Sequence, residues 1–101
     1  MGTFVKVAKT GEIPTGEGKT VDANGRSIAL FNVGGAIHAI ENDCKHRGGP
    51  LGEGELDGTV VTCPLHAWTY DVATGECFDD PDCAVETFPV KIEGDDVLVE
   101  V

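Results

Sequence analysis

The chain has 101 residues, 41% of them apolar and 25% charged, which fits one globular domain over residues 1–101 and excludes a disordered chain. No apolar run approaches the ~20 residues of a membrane-spanning helix. Lys+Arg number 7 against 18 Asp+Glu, a formal charge of −11; such a surface repels phosphate, so nucleic acid and membrane are excluded as partners and a protein with a basic docking face is favoured.

In chain order, helical periodicity is weak and short runs rich in Val, Ile and Phe alternate with Gly, Asn, Asp and Pro, an all-β signature. The opening MGTFVKVAKTGEIP has no apolar h-region, and the expectation is a cytoplasmic or otherwise unexported protein. TFVKVA, residues 3–8, predicts a first strand. KTVDA and RSIALFN flank Asn24-Gly25, a pair that hairpin turns prefer because both positions accept positive φ. AIHAIE, residues 36–41, follows Gly34-Gly35 and alternates apolar and polar. FPVKIEG and DDVLVEV predict a last hairpin around Gly94-Asp95, with Val97, Val99 and Val101 on one face. Between these β-rich halves, residues 42–80 hold three of the four cysteines, two of the three histidines, and the only Trp and Tyr. A Gly/Pro-rich stretch carried on a β-scaffold is where function concentrates.

Within that stretch stand Cys44-Lys45-His46-Arg47-Gly48-Gly49-Pro50-Leu51 and Cys63-Pro64-Leu65-His66-Ala67-Trp68. Each motif supplies one soft thiolate and one imidazole, a metal-ligand pattern; the spacing is C-x-H, sixteen residues, then C-x-x-H. Glycines let such loops turn sharply and bring backbone N–H groups near anionic sulfur. A mononuclear zinc site would use the same donors. The order Cys, His, Cys, His suits a dinuclear cluster better, with two Cys on one iron and two His on the other.

CKHRGGPL…CPLHAWTYD resembles the Rieske ferredoxins, small electron carriers of bacterial Rieske-type oxygenases, and is also similar to the Rieske-like small subunit of assimilatory nitrite reductases. The resemblance covers the whole chain in length and β-pattern. It implies an antiparallel β-sandwich or barrel base with a small inserted β subdomain at about 42–72. It implies one [2Fe-2S] cluster, iron held by Cys44, His46, Cys63 and His66. It implies an electron-transport component of a dioxygenase system, not an enzyme: a flavin-dependent reductase would supply the electron, a terminal oxygenase would receive it, and no small molecule would be bound as substrate. The alternative is a nitrite reductase small subunit whose cluster is an internal relay.

The ligand set explains the chemistry. With two ferric ions, two sulfides and two thiolates, the oxidised cluster is formally neutral, whereas four thiolates would leave a dianion. Adding an electron is then easier, and Rieske centres span about −150 to +300 mV against about −400 mV for plant-type ferredoxins. High-potential members of the class place a Ser two residues after the second His and a Tyr four after it; this chain has Trp68 and Tyr70. They also brace the two loops with a disulfide, at positions that here are Gly49 and Leu65. The expectation is a potential in the lower half of the range, with Tyr70 pulling upward if its hydroxyl meets the Cys44 sulfur. A free ring N–H on His46 and His66 would make the potential fall at alkaline pH.

Other residues are read more plainly. Cys77 and Cys83 are expected as ordinary thiols, His38 as a strand histidine, and Trp68 as packing beside the cluster subdomain. Pro64 stiffens the second loop. Asp80-Pro81-Asp82 forms either a third covering loop or a turn between strands. Lys45 and Arg47 are the basic groups beside the motifs. Asp43, Glu53, Glu55 and Asp71 are surface charge or docking residues.

Overall fold

The computed structural model describes residues 2–43, 49–65 and 67–101. Cys44, Lys45, His46, Arg47 and His66, named above, lie outside the described residues. Among the described residues ten strands follow in order: β1 (Phe4–Lys9), β2 (Gly18–Ala23), β3 (Arg26–Val33), β4 (Ala36–Glu41), β5 (Glu55–Asp57), β6 (Val60–Thr62), β7 (Thr69–Asp71), β8 (Thr87–Phe88), β9 (Val90–Glu93) and β10 (Asp96–Glu100). Among the described residues helix is confined to single 3₁₀ turns at Thr10–Glu12, Leu51–Glu53 and Pro81–Cys83, and no helix is long and apolar enough to cross a membrane. The fold is all-β.

Three antiparallel sheets form, with strand orders β1-β10-β9, β2-β3-β4-β8 and β5-β6-β7. The four-stranded sheet is the middle layer, and β3 explains why. Its Ile28-Ala29-Leu30-Phe31 run is buried on both faces, as a continuous apolar run demands. Ile28 and Leu30 join Ala8, Val21, Val97 and Val99 in one core, toward β1 and β10. Ala29 and Phe31 join Leu51, Val61, Cys63, Tyr70 and Val72 in a second core, toward the small sheet.

Turn chemistry sets the register. Asn24 and Gly25 take φ of 52° and 82°, so the β2–β3 hairpin closes with two left-handed residues, which matches strand twist. The last hairpin departs from expectation at its start. FPVKIEG is not one strand: Phe88 pairs with Ala39 in the middle sheet, while Val90 pairs with Val99 in the outer one. Pro89 lies between them and has no N–H to continue a ladder, so the chain changes sheets there.

Candidate metal centre

Of the two motif-bearing segments, one precedes the small sheet β5-β6-β7 and the other lies within it. The first leaves the end of β4 and returns at the 3₁₀ turn Leu51–Glu53, and its ends are bridged by Asp43 and Pro50. The second joins β6 to β7. Cys63 N–H donates to the Trp68 carbonyl at 2.7 Å, and Ala67 N–H donates to the Cys63 carbonyl at 3.0 Å. These bonds close a tight loop that requires Ala67 at φ 62°. That is the left-handed region, sparsely used by residues with a Cβ and a marker of functional strain.

Cys63 is 1% exposed, in the core with Leu51, Tyr70, Val72 and Cys77. The first segment reaches it at Gly49. A Cβ on Gly49 would stand 2.7 Å from Cys63 Sγ and 3.1 Å from Leu65 Cγ, so only glycine lets the backbone lie against this sulfur. The two motifs, fourteen positions apart at Gly49 and Cys63, therefore meet at a buried thiol. The same contact puts Gly49 beside Leu65, the pair that matches the disulfide brace; neither carries sulfur. Leu65 is 60% exposed, at the lip of a groove of about 570 Å³ lined by Glu53, Glu55, Cys63, Pro64 and Ala67.

Tyr70 is fully buried. Trp68 packs against the same core. Alongside β7 runs the segment 77–79: Tyr70 bridges to Cys77, and Phe78 N–H donates to the Thr69 carbonyl at 2.9 Å. Asp79 Oδ2 accepts from Thr69 N–H at 2.7 Å and from its hydroxyl at 3.2 Å. Asp80-Pro81-Asp82 opens a one-turn 3₁₀ helix in which Asp80 Oδ1 accepts from Asp82 N–H. Cys77 and Cys83 are free thiols. Desolvation, then the neighbouring Asp80 carboxylate, push the Cys83 thiol up, which keeps it protonated and unlike a metal-ready thiolate. His38 sits on β4 opposite Phe31. Asp43, Glu53 and Glu55 are exposed. Asp71 is more than surface charge, since its Oδ1 accepts from Ala73 N–H at 2.8 Å and forms the turn after β7.

Two contributors were not legible as site residues. Asn42, 5% exposed, is a buried polar side chain two residues before the first motif; its one sequence signal is a polar residue following the run AIHAIE. Asp79 ties 77–79 to β7, and nothing distinguishes it from its acidic neighbours in sequence.

The donor set and the packing suit a soft, multi-ligand metal group: a desolvated thiol on a fixed loop, with a side-chain-free backbone against it. Residues 3–89 match the Rieske [2Fe-2S] domain family. The chain is 40% identical over 100 residues to the biphenyl dioxygenase ferredoxin subunit of Pseudomonas sp. (strain KKS102), covering 97% of this chain and 92% of that protein. It superposes with a TM-score of 0.87, at 31% identity, on a chain in the complex of reduced oxygenase and oxidized ferredoxin of carbazole 1,9a-dioxygenase, covering 96% of this chain and 92% of that one. A structure assigned to an NADH-dependent nitrite reductase small subunit from Mycobacterium tuberculosis shares the fold, with a TM-score of 0.90 at 22% identity over 100% of this chain and 96% of that one.

Proposed function

The chain belongs to the Rieske [2Fe-2S] domain family and is an electron-transfer component, not an enzyme; from that we propose that it carries single electrons from a flavin-dependent reductase to a terminal oxygenase in the cytoplasm. Its one cluster is held by Cys44, His46, Cys63 and His66, on a subdomain of about 42–72 set into a single domain, 1–101. The observation that carries this is the meeting of Gly49 with the buried Cys63 sulfur.

When bound, such a cluster takes up and returns one electron. The chain's own residues shape how. Leu51, Val61, Tyr70 and Val72 exclude water from the inner side of Cys63, which makes any charge there respond strongly to neighbouring dipoles. The Cys63–Ala67 turn fixes the thiol while leaving Pro64, Leu65 and Ala67 exposed. An apolar lip next to the redox group supports close, dry contact with a partner. Glu53 and Glu55 beside it add charge that suits a basic docking face. The relative solved with its oxygenase supports the oxygenase as acceptor. Likeness to the nitrite reductase subunit concerns the fold, and no feature of this site favours an internal relay.

The test is metal analysis with reconstitution. Two irons and two acid-labile sulfides per chain, with reduction by a flavin reductase and reoxidation by a Rieske oxygenase, are expected. One zinc per chain, or permanent co-purification with a large reductase, overturns the reading.

A further inference from the structure

We propose that Asn42 is a positioning residue that sets the span of the first ligand segment, and so the placement of Cys44 and His46 relative to Cys63. The inference rests on the ligand reading above and adds a residue that no metal motif contains.

Asn42 is 5% exposed, and burying an amide costs free energy unless its polar atoms are bonded. Its bonds converge on the base of the segment. Its backbone carbonyl accepts from Leu51 N–H at 2.7 Å, and its side-chain Oδ1 accepts from the next N–H, Gly52, at 2.8 Å. Two consecutive donors at the start of the 3₁₀ turn Leu51–Glu53 are thus gripped by the one residue that follows β4. Oδ1 also accepts from the Thr20 hydroxyl of β2 at 3.1 Å, and Nδ2 donates to the Ser27 hydroxyl of β3 at 3.0 Å. The Asn42 N–H donates to the Ser27 carbonyl at 3.1 Å. The amide orientation follows from this set. Reversed, its NH₂ would face the Gly52 N–H, two donors together; the hydroxyls of Thr20 and Ser27 can serve either role, but Gly52 cannot.

Gly52 closes the device from the other side. A Cβ there would collide with the Thr20 hydroxyl, come within 2.9 Å of Thr20 N and 3.1 Å of Asn42 Oδ1. The clasp therefore has one geometry: the segment's feet are fixed to β2 and β3, while Gly49, inside the span, rests on the Cys63 sulfur. A shift at the feet is transmitted to the residues between them, because close-packed contacts leave no slack.

The experiment compares native protein, Asn42→Ala, Asn42→Asp and Leu30→Ala after reconstitution with iron and sulfide. The readouts are the EPR spectrum of the reduced form, the midpoint potential, and the rate of loss of visible absorbance well below the unfolding temperature. Asn42→Ala is expected to shift the EPR spectrum and speed cluster loss on the order of tenfold, the effect of orphaning a buried donor. Asn42→Asp keeps the acceptor for Gly52 and should restore native retention. Leu30→Ala weakens the base core without touching the clasp and should leave spectrum and retention native. If Asn42→Ala fails to fold, Asn42→Ser, one bond short of Gly52, takes its place. Native-like spectra and retention in Asn42→Ala, or in Asn42→Ser where it stands in, overturn the role of Asn42 alone; native protein that takes up no iron overturns the ligand reading beneath it.

Discussion

The base and the metal-binding region are held together differently. In the base, every strand but the two-residue β8 has four to eight residues and pairs along its length, and the core of Ile28, Leu30, Val97 and Val99 is supplied by plain alternation. In the metal-binding region β5, β6 and β7 have three residues each. Their short ladders and core are supplemented by single tethers: the Asn42 clasp, the Cys63–Trp68 turn and the Asp79 bonds to Thr69. A ladder spreads its free energy over many bonds, so one loss is tolerated. A tethered loop depends on each contact, and on its metal as a further crosslink. The base should therefore outlast the site under most insults.

That contrast can be broken directly. Cys63→Ser should abolish cluster binding, the largest effect. Hydrogen exchange should then show protection falling by at least about tenfold across residues 49–80 while β3 and β10 stay protected. Equal loss in both regions would refute the division. The mirror experiment is Leu30→Ala, which opens a cavity in the base core. It should lower stability by about 2–5 kcal/mol, read from thermal unfolding, with the EPR spectrum unchanged; a changed spectrum would show the regions to be coupled.

Smaller changes sharpen the comparison. Gly49→Ala forces a methyl against the Cys63 sulfur, and overpacking of this kind costs about 1–3 kcal/mol. It should shift the midpoint potential and leave the protection of β10 native. The smallest effect belongs to the base. A hydrogen bond from Lys6, then the charges of Lys6 and Lys9, hold the Asp96 carboxyl below its ordinary 3.8. A lowered acid contributes its stability above that value and loses it as pH falls through the folded one. Asp96→Asn should remove this slight acid-side dependence, measured as unfolding midpoint against pH, with no change at the metal region.

The two regions were also unequally legible in sequence. The base could be read because strand alternation and turn residues such as Asn24-Gly25 are local. Its one surprise, the sheet change at Pro89, has a local cause as well. The metal-binding region could be read only at its motifs. That Gly49 must be glycine depends on a sulfur fourteen positions away, and the role of Asn42 depends on Thr20, Ser27 and Gly52. Such contacts leave no periodic trace, and a buried Asn before a loop looks the same in sequence as a solvated turn residue.

The central claim is that two thiolates and two imidazoles divide a pair of irons between them. Pulsed EPR of the reduced protein grown with ¹⁵N-histidine tests it most directly. Two histidine nitrogens coupled to the unpaired electron, with one lost in His46→Cys and one in His66→Cys, are the predicted result. A reduced sample with no coupled nitrogen, or with no unpaired electron at all, would contradict the account.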